Sequence, residues 1–162
     1  MSQITPALAL RITSAFEQLS TAAKNLNAAS DELAKSVGQL DTALKKLNLG
    51  VATWVRLSRS EDSQGTFSLR ELGYAKVGGR WGIALRMIAG RDSSSEHENR
   101  EEWLFNDAPR ALRIQAIDML PDLLEKLVRD AQLTARNISG KIQKAQQVAK
   151  AIGEAPNPTD QE

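Results

Sequence analysis

An apolar residue recurs every seven positions through the first third of the chain, and a second series follows it by four positions. The first series is Ile12, Leu19, Leu26, Leu33, Leu40 and Leu47, and the second is Phe16, Ala23, Ser30, Val37 and Leu44. Alternating steps of four and three are the a and d positions of a coiled-coil seam. We expect one stalk helix over 5–48, with Thr5 as N-cap, Pro6 in the first turn and Gly50 just beyond its end.

From residue 50 the apolar period changes to two, which predicts a β head over 50–106. The predicted strands are 51–57, 66–77, 80–89 and a shorter one at 101–105, with a polar loop over 91–99. Gly78-Gly79 is a strong hairpin signal. A two-residue loop pairs Val77 with Arg80, Tyr74 with Ile83, Leu72 with Leu85, and Glu71 with Arg86, so apolar residues and opposite charges face each other. The opposite face, with Gly73, Ala75, Gly82 and Ala84, is flat enough for a helix to lie on it.

Helical periodicity returns over 107–153, with a kink or restart expected at Pro121 and the segment 110–120 packed on the sheet. Its series are Leu124, Ala131, Ile138, Ala145 and Ile152, and Val128, Ala135, Ile142 and Ala149. In an antiparallel pair of helices, the residue numbers of facing residues have a constant sum. A sum of 168 brings every layer of the two seams together, from Leu44 with Leu124 to Phe16 with Ile152. Large residues mostly face small ones in this register. The polar segment 154–162 is predicted to be a disordered tail.

These patterns predict a single α+β domain over 1–162. The N- and C-terminal helices form a long antiparallel two-helix coiled coil, and a four-stranded antiparallel β-meander is inserted at one end. A charged residue at Leu33 should then collapse the stalk, because it would bury an unpaired charge.

Composition narrows the function classes. The chain has 21 Lys+Arg, 20 Asp+Glu and no cysteine. The near-neutral balance gives no overall attraction to nucleic acid or membrane, and thiolate chemistry is excluded. The N-terminus lacks the features of a signal peptide, and no apolar run reaches the roughly 20 residues of a membrane span. We therefore expect a soluble cytoplasmic protein without a membrane partner.

Catalytic chemistry finds little support in the sequence. His97, the only histidine, lies in a serine-rich, acidic stretch between Glu96 and Glu98. A metal site or acid–base pair would need a rigid, partly buried setting, so a solvated loop is the preferred interpretation. The glycines do not form a phosphate-binding motif. The sequence predicts a non-enzymatic protein without a cofactor or metal.

Basic residues of the β head and of the following helix are candidates for contact with a partner or with nucleic acid. They are Arg56, Arg70, Lys76, Arg80, Arg91, Arg110 and Arg113. Cationic and aromatic side chains on a sheet can bind a nucleic-acid backbone and stack on bases. Acidic loops and the expected Glu71–Arg86 pair argue against a dedicated basic surface, so nucleic-acid binding stays the alternative function.

A small-residue stripe lies beside the first seam and is formed by Ala15, Ala22, Ala29 and Ala43. A two-helix stalk would leave this stripe exposed, whereas a homodimer would cover it in a four-helix bundle. The leading prediction is an interaction or assembly module, in which the stalk sets the assembly and the head contacts a protein partner.

Overall fold

The first helix, α1, spans Pro6–Lys46 in a computed structural model that describes residues 5–92 and 94–154, and for 94–97 the backbone only. Thr5 takes the extended N-cap conformation, without a side-chain capping hydrogen bond, and Pro6 opens the first turn, where its missing N–H costs nothing. Asn48 and Gly50 both have positive φ, at 49° and 62°. The chain therefore leaves the helix slightly before the predicted end.

Four strands follow as an antiparallel meander in the order β1-β2-β3-β4. They span Thr53–Glu61, Thr66–Val77, Arg80–Arg91 and Ser94–Leu104. The turn between β2 and β3 places Gly78 and Gly79 at positive φ, which a side chain would disfavour. The predicted register is confirmed, with Val77 opposite Arg80 and Glu71 opposite Arg86.

The fourth strand differs from the prediction. β4 begins at Ser94, within the segment expected to be a polar loop over 91–99, and its pairing with β3 includes Asn99 opposite Ala89 and Arg100 opposite Ile88. An edge strand needs main-chain partners on one side only and tolerates charged side chains, so the polarity of this segment does not prevent pairing. The side chain of His97 lies outside the described residues.

The C-terminal region contains two helices rather than one kinked helix. A 3-10 turn at Phe105–Asp107 leads into α2, Arg110–Ala116, and a second turn at Ile117–Met119 leads into α3, Leu120–Gly153. Pro121 lies in the first turn of α3, where a backbone N–H would have no carbonyl acceptor within the helix, so its absence costs nothing. The predicted disordered tail lies outside the described residues from residue 155 onward.

The core lies between the helices and one face of the sheet. Leu72, Tyr74, Ile83 and Leu85 form the buried face, as the hairpin register predicts. The side chains packed with them are Val37 and Leu44 from α1, Phe105 and Ala108 from the turn, Leu112 and Ala116 from α2, and Leu123 and Leu127 from α3. The chain thus has an α+β fold with the helices on this face.

The opposite face of the sheet is covered mainly by side chains of the sheet itself. A Cβ atom added to Gly73 would meet the ring of Trp54, and one added to Gly90 would meet the ring of Phe67. Gly73 and Gly90 therefore make room for aromatic rings from neighbouring strands, whereas a Cβ atom added to Gly82 would meet Asp41 of α1 and Leu104 of β4. A helix was expected on the flat patch of Gly73, Ala75, Gly82 and Ala84. At Gly73 the ring of Trp54 occupies the space, and α1 approaches the patch only at Gly82, through Asp41.

The predicted antiparallel seam between the two long helices is not observed in the single chain. α1 packs on β3 and α3 packs on β1 and β2, without extended contact between the two helices over the described residues. α3 buries Leu123 and Leu127, whereas Val128, a predicted seam residue, is 56% exposed. The physical reason is competition for the same helix: Leu123 and Leu127 lose their contact with water in the core cluster that contains Leu72 and Leu85 of the sheet. The hydroxyl of Thr53, on β1, donates a 2.6 Å hydrogen bond to Asp130 and holds α3 in this rotation.

Candidate interaction surfaces

The N-terminal part of α1 has little tertiary cover, and its side-chain hydrogen bond to the rest of the fold comes from Arg110 to Asn27 near its end. All side chains over 6–29, a segment that we call the N-arm, are exposed. Its seam residues Ile12, Phe16, Leu19 and Leu26 are 48–70% exposed. At about 1.5 Å per residue the N-arm is roughly 36 Å long. It therefore presents a long, regular apolar stripe to solvent.

The C-terminal part of α3 is exposed in the same way over 132–153, which we call the C-arm. Its seam residues Ile138, Ile142 and Ile152 are 47–72% exposed. The charged residues of the C-arm are Arg136, Lys141, Lys144 and Lys150, and it contains no Asp or Glu. The C-arm is thus an amphipathic, basic helix, although the whole chain is almost neutral.

The positions beside the N-arm seam are small and uncharged. Ala15, Ala22 and Ala29 follow one side of it, and Thr13, Ser20 and Asn27 follow the other. All six are exposed. A two-stranded coiled coil usually carries charged residues at these positions, whereas an apolar stripe widened on one side is typical of a helix in the core of a bundle. The fourth predicted alanine, Ala43, is exposed on the part of α1 that packs on the sheet.

A second surface is the sheet face opposite the core. Arg86 forms an ion pair with Glu71, and its guanidinium lies 4.0 Å from the centre of the Trp54 ring. Both charged side chains are largely buried. The aromatic ring and the carboxylate hold Arg86 in place, so its charge is neutralised within the sheet rather than offered to a ligand.

The predicted basic residues do not meet in one patch. The strand register places Arg56 and Arg80 on the face of Glu71, and it places Arg70 and Lys76 on the face of Leu72. Arg70 donates a 3.4 Å hydrogen bond to Gln115 on α2. Arg91 ends β3. Arg110 donates a hydrogen bond to Asn27 on α1. The Nε of Arg113 is buried and has no hydrogen-bond acceptor within the described part of the chain. The sheet alternation and α2 disperse these charges.

Several aromatic rings of the head already have partners. Arg86 covers Trp54, Arg59 lies 4.8 Å from the centre of Phe67, and Tyr74 stacks on Trp81 at 5.6 Å. Arg59 is also within 3.3 Å of carboxylates on both Glu61 and Asp92. Base stacking would require these contacts to break, which weakens the nucleic-acid hypothesis.

A small cleft of about 270 Å³ lies between α1 and the end of the sheet, where β4 stops. Asp41 lines it and accepts a 2.7 Å hydrogen bond from the backbone N–H of Ile83 on β3. The pairing of β3 with β4 ends one residue away, at Ala84 opposite Leu104. The same carboxylate pairs with Lys45 at 2.6 Å. Burial of the neighbouring Tyr74 raises the pKa of its phenol, and the charge of Asp41 adds to this. Asp41 thus joins α1 to β3, and Arg80, Asn106 and Asp107 also line the cleft.

Within the described residues, no cluster of three or more His, Asp or Glu side chains is arranged to hold a metal ion. None of the described helices combines the length and apolarity needed to cross a bilayer. Comparison with protein-family models, with curated proteins and with solved structures finds no match. The geometry of the two arms is therefore the main guide to function.

The apolar stripes of both arms were predicted from the sequence, but they were expected to pack against each other as the seam of a stalk within one chain. It missed the Trp54–Arg86 contact. One available signal was the register, which places Trp54 opposite Gly73, and a glycine opposite a large aromatic residue often marks the place where the ring lies.

Proposed function

We propose that this protein is a non-enzymatic assembly module, in which the two arms bury their apolar stripes in a helical bundle with a protein partner. The observation that carries the proposal is the exposure of every residue of the N-arm and of the C-arm, which extend two helices beyond a well-packed head. Isolated helices are marginal in water, and most helical stability in proteins comes from packing an amphipathic face. A partner that covers the stripes would supply this packing.

The energetic argument favours a partner that contacts both arms. Complete burial of a Leu, Ile or Phe side chain contributes about 1.5–3 kcal/mol, so a side chain that is half to three-quarters exposed still has about 1–2 kcal/mol to gain. Phe16, Leu19 and Leu26 together offer about 3–6 kcal/mol on this scale, and the C-arm isoleucines offer about the same. Association costs about 4–15 kcal/mol, so burial of both arms offsets this cost better than burial of one arm.

The heptad register describes how the arms would pack in such a bundle. The layers whose residue numbers sum to 168 lie within both arms from Phe16 with Ile152 to Leu26 with Ile142. The part of α1 nearer the sheet is already used, since Val37 and Leu44 belong to the core. In this proposal the head is a compact base that fixes where the arms begin.

The test is a pair of variants of the full chain, expressed in its native host and purified under native conditions. L26D places a charge in the stripe, and A28D places the same charge on the opposite side of the N-arm. We expect wild type and A28D to elute in a complex larger than the 17.7 kDa chain. L26D should elute at the mass of the free chain. If L26D elutes with wild type, the stripe does not mediate assembly and the proposal is wrong.

A further inference from the structure

We infer that the partner of the arms is a second copy of this chain, with the N-arm of each copy packed antiparallel against the C-arm of the other. The inference rests on the proposed function, since it names the helices that bury the two stripes. It is carried by three features of the described residues: the layers of the arms, the rotation of α3 and the charges of the two arms.

The layers of the two arms complement each other. In order from the tip of the N-arm they are Phe16–Ile152, Leu19–Ala149, Ala23–Ala145 and Leu26–Ile142. Every member of these layers is apolar, so each layer can be dry. The alanines on the N-arm flank leave room for two such helix pairs to approach each other in a bundle.

The rotation of α3 favours pairing between copies over closure within one chain. Leu123 and Leu127 are buried against the sheet, and the Thr53–Asp130 hydrogen bond fixes the helix in this orientation. Pairing with its own α1 requires Val128 to face α1, which is a rotation of one residue, or about 100°. A second copy can bring its N-arm to the existing C-arm stripe without this rotation.

Charge disfavours the pairing of two C-arms and opposes the pairing of a C-arm with an N-arm much less. The C-arm carries four cations and no anion, so two C-arms side by side would repel each other. The N-arm carries Arg11, Glu17 and Lys24, a formal charge of only +1, and its seam flanks are neutral. Reciprocal exchange between two copies then gives a closed two-fold dimer, in which each copy uses both stripes.

The chain contains no cysteine, so introduced cysteines report contacts between arms directly. We would mix L26C with an I142C chain that carries a mass tag, and treat the mixture with a short bis-maleimide. We expect a cross-linked species with one chain of each kind, at least tenfold more abundant than in a mixture of A28C with I142C. Light scattering of the wild type should give twice the 17.7 kDa chain mass.

Other results would overturn the inference. If the double variant L26C/I142C cross-links within one chain while the wild type is monomeric at high micromolar concentration, the arms close on themselves. If L26C cross-links as strongly alone as in the mixture, the N-arms pair with each other. If the wild type is monomeric but binds a different protein, and L26D abolishes that binding, the partner is not a second copy and the assembly function stands. If L26D changes nothing, the assembly function itself fails.

Discussion

Gly73→Ala tests the sheet face opposite the core. An added Cβ would lie 2.5 Å from Cδ2 of Trp54 and 2.6 Å from the carbonyl oxygen of Thr53. Carbon atoms prefer separations of about 3.5–4.0 Å, so the ring must move by roughly 1 Å or more. The carbonyl belongs to β1 and cannot retreat without disturbing its pairing. Alanine at this position therefore displaces Trp54 and loosens its contact with Arg86.

The size of the effect follows from these contacts. Overpacking costs about 1–3 kcal/mol, and the cation–π contact of Arg86 with Trp54 contributes about 0.5–1 kcal/mol. Alanine regains about 0.4–1 kcal/mol by restricting the unfolded chain. We therefore expect a net loss of about 2 kcal/mol, or about 4–8 °C in Tm for a chain of this size.

The measurement is thermal and urea unfolding followed by tryptophan fluorescence and circular dichroism. Gly90→Ala is the matched control, because its Cβ would lie 3.3 Å from the Phe67 ring and 3.4 Å from Cγ of Glu98. These side chains can give way by a few tenths of an ångström, so the loss should stay below about 1 kcal/mol. A Gly73→Ala protein that melts at or above the wild-type temperature would refute the placement of Trp54.

Two further predictions concern the helix–sheet contact and the alternative function. The Thr53 hydroxyl lowers the pKa of Asp130 through its hydrogen bond. This carboxylate therefore stabilises the fold above the unfolded-state pKa of about 3.9, and the stabilisation is lost as the pH falls through the lowered folded-state pKa. D130N should flatten the decline of the urea midpoint below about pH 4, and an unchanged decline would contradict this role. If the head's arginines bound nucleic acid, low-salt gels would show retardation that R56E and R80E weaken. Because these arginines do not form one patch, we expect no retardation with the wild type. Clear retardation of the nucleic acid that R56E and R80E abolish would favour the nucleic-acid-binding function.

The sequence by itself determined the elements and the central hairpin. Two glycines between alternating strands permit a tight turn, and the pairing of Glu71 with Arg86 follows from that turn alone. Such features depend on contacts between residues close in the chain. The amphipathic character of both long helices is local in the same sense, because it depends only on the helical period.

Only the tertiary structure decided which apolar side of α3 is buried. Leu123 and Leu127 form one stripe, and Leu124 and Val128 form another, one residue apart. Both stripes satisfy a helical period, so the sequence pattern does not distinguish them. The sheet face and the hydrogen bond from β1 to Asp130 select the first stripe.

The same choice determines the candidate site. With Leu123 and Leu127 of α3 buried against the sheet, α3 makes no extended contact with α1 over the described residues, and both arms are exposed. The grouping of the basic residues of the head also depends on tertiary structure. The strand register places Arg56 and Arg70 on opposite faces of the sheet. Local periodicity predicts which residues are apolar, but the surface that each one meets depends on residues distant in the chain, whose packing competes for the same side chains.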